Sequence, residues 1–386
     1  MRQTSRPLAR PALWLLLLAA GLILLTACGG RITNTNWSGL STDGERVYLA
    51  FGPQVMAFDP ATQTQSWLFP TERSAVNFFA APSVEDGRVI FGDYGRAGGL
   101  FSPRVTVSIH ALENAESGAP RELWTNANVA TDKVVAPALQ VGDQLFVGTA
   151  DNHILALNAV DGSQLWDFEA GHAIWGQPAY RDGVLYVASM DRSVYALDAE
   201  TGDQVWATRL EGALPSGPVL GDDLVYVSSF DGGVHALDLS TGEPQWKAEA
   251  VDANWVWGAP AVQDGTLYFT DVRGNLYAVD AASGETRWTK AIETTDVSVQ
   301  SSPVVVDDAI YVAAQRAGET PSGALTAYSA ADGVQLWSQP TAAPLFSTPV
   351  VVGDALVVAP QSANGLLVGF DLAGGQELWR YALPES

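Results

Sequence analysis

The chain has one cysteine among 386 residues, and only 16% of its residues are charged. A lone cysteine excludes an internal disulfide. Basic residues are scarce, 20 Lys and Arg against 43 Asp and Glu, which leaves a net charge of −23. So acidic a surface excludes a nucleic-acid groove, because phosphate neutralisation requires clustered Lys and Arg. It also opposes electrostatic docking on anionic lipid and favours partners with basic patches. The sequence contains no D-x-D-x-D-G calcium loop and no His-x-x-x-His pair. What is abundant is apolar side chains (47%) with 37 Gly and 21 Pro. That composition describes a turn-rich chain with an ample core rather than a disordered one.

The N-terminus carries Arg2, Arg6 and Arg10, then an apolar run from Ala12 to Ala27. A basic segment followed by a short apolar one reads as a secretory signal, and the run is shorter than the ~20 residues of a spanning helix. It ends in Leu25-Thr26-Ala27-Cys28, which resembles the lipobox of bacterial lipoproteins. That resemblance implies a signal over 1–27, a diacylglyceryl and N-acyl anchor on Cys28, and a tether over 29–36. Such an anchor is effectively permanent. Gly29 stands where, by the same resemblance, an Asp would retain the protein at the inner membrane. The expectation is an extracytoplasmic, lipid-anchored protein, at the outer membrane where the cell has one.

From residue 37 to 386 the chain is one repeat. Eight tryptophans, Trp67, Trp124, Trp166, Trp206, Trp246, Trp288, Trp337 and Trp379, recur at intervals of 40–57 residues. Each unit reads as four short strands without a helical pattern, and a turn dipeptide separates the first two strands. These are Asp43-Gly44, Asp86-Gly87, Gly142-Asp143, Asp182-Gly183, Asp222-Asp223, Asp264-Gly265, Asp307-Asp308 and Gly353-Asp354. Asp-Gly supplies the positive φ angles of a type I′ hairpin. Eight such units predict an all-β fold, a single eight-bladed β-propeller with four antiparallel strands per blade.

The offsets within the repeat are regular. Ala or Gly lies ten residues before the Trp at Ala57, Ala156, Ala196, Ala236, Ala278, Ala327 and Gly369. Glycine lies four before it at Gly162, Gly202, Gly242, Gly284, Gly333 and Gly375. This A-x-D-x-x-T-G-x-x-x-W pattern resembles the tryptophan-docking motif of the pyrroloquinoline-quinone (PQQ) propeller family. The resemblance implies that each indole stacks on a Gly peptide of a neighbouring blade and donates its N–H to a carbonyl, so that eight such contacts girdle the ring. A buried indole needs an acceptor, and only Gly admits a flat ring onto bare backbone.

That family divides into quinoprotein dehydrogenases and non-catalytic scaffolds. The dehydrogenases resemble longer chains with a vicinal disulfide beside the quinone and carboxylates around a metal, and no Cys follows Cys28 here. The lipobox, tether and eight blades are similar to the BamB-like lipoproteins of outer-membrane β-barrel assembly. Their partner-contacting interblade loop is long, whereas residues 209–217 are short here. The reading is therefore a membrane-anchored, non-catalytic interaction scaffold with envelope-protein partners, including a barrel-assembly complex, and no expected cofactor or metal. The alternatives are a PQQ-dependent or degenerate quinoprotein dehydrogenase and a surface ligand-binding module.

The candidate binding rim consists of the interblade residues Asn77, Phe78, Phe79, His172, Trp175, Trp255, Trp257 and Phe346, which share one place in the repeat and should converge on one mouth of the axial funnel. Of the histidines, His110 and His235 occupy the repeat position of Tyr195 and Tyr277 and read as packing residues. His153 reads as solvated, and His172 lies nearest a pocket. Two hairpins carry insertions, at 92–106 and 315–324, and long loops on rigid scaffolds often hold function.

Overall fold

The turn dipeptides set the course of the chain. Asp86-Gly87, Asp182-Gly183 and Asp264-Gly265 all have positive φ at both residues, the conformation that matches the right-handed twist of the strands they join. A computed structural model describes residues 39–95, 106–292, 297–360, 362 and 365–383. The expected signal (1–27), the expected lipidation residue Cys28, the expected tether (29–36) and most of the first insertion lie outside the described residues. Trp37–Ser386 is one compact unit.

Eight antiparallel meanders follow one another as blades 1 to 8, spanning 39–69, 83–130, 139–169, 179–209, 219–249, 261–291, 297–341 and 350–381. Strand order within each blade is the order of the sequence. The first strands of blades 8 and 1, 1 and 2, 2 and 3, and 6 and 7 lie side by side, so first strands surround the axis. The meander then places the interblade connections and the hairpins between second and third strands on one face, and the remaining turns on the other. Blade 7 departs from four strands. The 315–324 insertion lengthens its central hairpin into Ala309–Arg316 and Ser322–Ser329, and a fifth strand, Val297–Ser298, pairs with Arg316 and Gln315.

The core sits between blades. Each cluster joins neighbours, as where Tyr186, Val194 and Trp206 of blade 4 meet Val225, Val227 and Leu237 of blade 5. The ring closes by the same packing: Leu49, Met56 and Phe58 of blade 1 lie against Val357, Leu367 and Trp379 of blade 8. Tyr381 donates its hydroxyl to Gln65 Oε1 at 3.0 Å across this seam. No strand is exchanged between blades 8 and 1 among the described residues.

The outer turns are held by carboxylates. Asp198 Oδ1 accepts the N–H groups of Glu200 and Thr201 at 3.0 and 2.9 Å, and Asp238 and Asp280 do the same for the residues two and three positions on. These bonds satisfy amides that the turn would leave open, and they favour the ionised carboxylate. Asp198 and Asp238 are held below the ordinary range, and the Arg287 guanidinium with the turn amides brings Asp280 down to about 2. A carboxyl lowered by folding stabilises the native state above its unfolded value and loses that contribution as pH falls through the folded one. The thermal midpoint should therefore hold above about pH 4 and decline from there toward about pH 2. Scanning calorimetry across that window checks this, and the Asp280→Asn variant should show a shallower decline.

Candidate functional site

Six of the eight repeat tryptophans dock as one set. The indole N–H groups of Trp124, Trp166, Trp206 and Trp246 reach the carbonyls of Ala159, Ala199, Leu239 and Ala282 at 3.0 Å. Those of Trp288 and Trp337 reach Ala330 and Leu372 at 3.2 and 3.1 Å. In every case the acceptor belongs to the following blade, beside a Gly with positive φ. At Gly242 a Cβ would stand 2.5 Å from the Trp206 ring. The girdle of eight expected from the repeat is thus a girdle of six. Trp67 is buried with its N–H unpartnered among the described residues, and Trp379 lies over Gly369 of its own blade.

This scaffold presents the interblade connections rigidly. Ile174 N–H bonds the Thr149 carbonyl of the blade behind at 3.0 Å, and Met190 N–H of the blade ahead bonds Ala173 at 2.9 Å. Trp255 and Val256 are held in the same way, through Val272 N–H and the Ser229 carbonyl. Backbone pinned on both sides gives the side chains a fixed platform.

The predicted rim does not form one continuous surface. Phe78 and Phe79 are core residues, 2% and 8% exposed, which corrects their assignment to a binding rim. Phe78 meets Phe91 edge-on at 5.4 Å and His110 at 5.7 Å, and Phe79 meets Tyr94 at 4.8 Å. Asn77 is exposed beside them and gives its carbonyl to Tyr94 N–H. Phe346 is half-buried in the connection into blade 8. His172 is exposed, and its Nδ1 accepts the Ala173 N–H at 2.7 Å.

Three predicted residues do come together. Trp175, from the connection into blade 4, stands 6.4 Å from Trp257, from the connection into blade 6. Phe230 completes the group: it stacks on Trp255 at 4.9 Å and leans on Trp257 at 5.1 Å. Trp255 is 53% exposed, while Trp175, Trp257 and Phe230 are half-buried. Sequence reasoning missed Phe230 because it occupies a hairpin turn, aligned with Met190 and Val272, rather than an interblade connection. A large aromatic in a turn dominated by Asp and Gly was the available signal.

Carboxylates border the cluster. Asp231, next to Phe230, bonds His235 Nε2 at 2.9 Å and lies 3.4 Å from Lys247 Nζ. Burial raises its carboxyl, but the His235 hydrogen bond and the charges of His235 and Lys247 outweigh burial and hold it low. Asp191 takes the Tyr195 hydroxyl at 2.6 Å in the same repeat position and is held low as well. His110 lies 3.6 Å from Asp93, and His153, half-exposed, pairs with Asp167 at 2.7 Å. His235 and His110 serve Asp-held turns, whereas Asp167 belongs to the outer strand Gln164–Glu169.

The donor set does not suit a quinone–metal centre. Among the described residues no group of three His, Cys, Asp or Glu is placed to hold a cation. The fully buried Asp271 is saturated by Asn254, Arg273, Asn275 and Tyr277. A carboxylate with its lone pairs taken has none for a metal.

Known proteins agree with the repeat. No curated protein sequence matches the chain. Among solved structures, BamB from Moraxella catarrhalis superposes with a TM-score of 0.64 at 18% identity, over 92% of this chain and 97% of its own. The computationally designed Ika8 protein gives 0.66 at 13%, covering 90% and 97%. A europium-containing methanol dehydrogenase gives 0.64 at 15%, covering 79% and 78%. At these identities the three structures share the fold with this chain. A family model described as outer membrane protein assembly factor BamB matches residues 97–174, 167–255 and 231–386. The chain therefore belongs to the PQQ-repeat β-propeller family of outer membrane protein assembly factor BamB.

Proposed function

We propose that the protein is a non-catalytic interaction scaffold of the cell envelope, lipid-anchored through Cys28, that holds a protein partner of outer-membrane assembly on its aromatic rim. The observation that carries this reading is the cluster of Trp175, Phe230, Trp255 and Trp257. An exposed aromatic and its half-buried neighbours on pinned backbone bury large area with little ordering cost, the usual make-up of an interface anchor. The acidic border at Asp191 and Asp231 suits a partner with basic residues around an apolar centre. The saturated Asp271 weighs against the dehydrogenase reading.

The experiment is in-cell cross-linking from a photoreactive residue at position 255, followed by affinity capture and mass spectrometry. The expected product joins the protein to a β-barrel assembly subunit. Cross-links confined to redox proteins, together with dye reduction by the PQQ-loaded protein, would overturn the reading in favour of the quinoprotein class. Mutating Cys28 to Ser should release the protein from the membrane fraction, as detected by radiolabelled palmitate and fractionation.

A further inference from the structure

The two tryptophans that do not dock flank the same blade. Trp67 should clasp blade 1 to blade 2, and its buried N–H has no partner among the described residues. Its host turn in blade 2 is three residues longer than the others and places no Gly beneath the ring. Trp379 should clasp blade 8 to blade 1. The glycine position of blade 1 is Gln63, held at φ 56°. At the six docked junctions a Cβ on the host residue would lie within 2.4–2.8 Å of the indole. The Cβ of Gln63 points into the same space, so the ring has nowhere to lie. Trp379 is instead turned back over Gly369, where a Cβ would come within 2.3 Å of Cε2. Every other blade has Ala at that place, so Gly369 is what admits the retracted ring. An open cleft of about 970 Å³ lies at this junction, bordered by Arg46, Asp59, Gln63, Asp354, Leu378 and Trp379.

What remains at the seam is mostly apolar: Phe58 against Trp379 at 4.9 Å and against Tyr381 at 4.8 Å. Such contacts are non-directional and tolerate sliding, whereas an indole N–H to a fixed carbonyl does not. We infer that the junction of blades 8 and 1 is the built-in opening of the ring and parts before any other: blade 1 stays tied to blade 2 by the Arg46 guanidinium on the Ala115 carbonyl at 2.7 Å and the Tyr48 hydroxyl on Asn114 Oδ1 at 2.9 Å. Gln63 and Gly369 together set this opening, one by blocking the docking place and the other by sheltering the displaced indole.

Native-state hydrogen exchange on the full chain tests it, because local opening sets the exchange rate of otherwise protected amides. Amides of Gln54–Asp59 and Thr64–Phe69 should exchange at least tenfold faster than those of Ser193–Asp198 and Gln204–Arg209 in blade 4. Equal protection in blades 1 and 4 would overturn the inference, and this comparison needs no variant. The Gly369→Ala variant should speed blade 1 exchange further, since the retracted ring loses its place. Adding Gln63→Gly should let the indole dock and slow blade 1 exchange below the wild-type rate, by roughly 5–30-fold for one restored clasp. Simple additivity of the two substitutions would count against it, because the two residues would then not share one ring. Placing the block elsewhere, as Gly202→Gln beneath Trp166, should create a second fast seam between blades 3 and 4.

Discussion

Replacing Trp175, Trp255 and Trp257 together with Ala should abolish partner binding while leaving the propeller folded. Central aromatic anchors cost about 2–4 kcal/mol each on truncation, so removing three predicts well over a hundredfold loss of affinity, even allowing for non-additivity. The fold should survive because these side chains project from connections whose backbone is pinned by main-chain bonds. None of the three carries a docking indole. The thermal midpoint should move by only a few degrees. Phe230→Ala by itself should reproduce a large part of the binding loss, since it packs on two of the three indoles. Phe78→Ala is the contrasting control. Its ring is 2% exposed within the cluster between blades 1 and 2, so it should cost about 3–5 kcal/mol of stability. Undiminished binding by the triple variant, measured by biolayer interferometry against the cross-linked partner, would remove the rim from consideration.

The second large effect concerns the girdle. Gly242→Ala should destabilise the protein far more than Gly87→Ala, although both glycines have φ near +70°. The two share the backbone cost of an L-residue in the left-handed region, about 1–2 kcal/mol. At Gly87 a Cβ meets nothing within 4 Å, so that cost is the whole effect. At Gly242 it would lie 2.5 Å from the Trp206 ring. The indole must then shift off the blade and surrender its bond to the Leu239 carbonyl, adding roughly 1–3 kcal/mol for overpacking and about 1–3 for the orphaned group. Denaturant midpoints for the pair of variants check the difference. Equal shifts would mean that the girdle contributes nothing beyond backbone conformation.

The folded structure separates what the repeat encodes from what it leaves open. Turn dipeptides and the Gly–Trp offset are local, and each is set by a backbone angle or by a ring on bare peptide. Eight blades, their strand order and the six docked indoles were therefore legible at Asp182-Gly183, Gly202 or Trp206. Even the failure of docking at blade 1 left a trace, since Gln63 occupies a glycine position. Its consequence was not legible, because where Trp379 goes depends on Gly369 and Phe58, which belong to two blades at opposite ends of the chain.

Exposure was harder still. Phe79, Trp175 and Trp257 occupy the same position in the connections of their repeats, yet the first is core and the others are half-buried. Alternation along a strand reports which side of a sheet a residue faces, but in a propeller both sides of every blade are covered by neighbours. The local pattern consequently carries little information on burial at the rim. The sequence by itself determined the repeat, its turns and its acidic, cysteine-poor chemistry. Only the tertiary structure decided which aromatics meet, that Phe230 joins them, and where the ring lacks its clasps, because each of these depends on contacts between blades whose residues lie far apart in sequence.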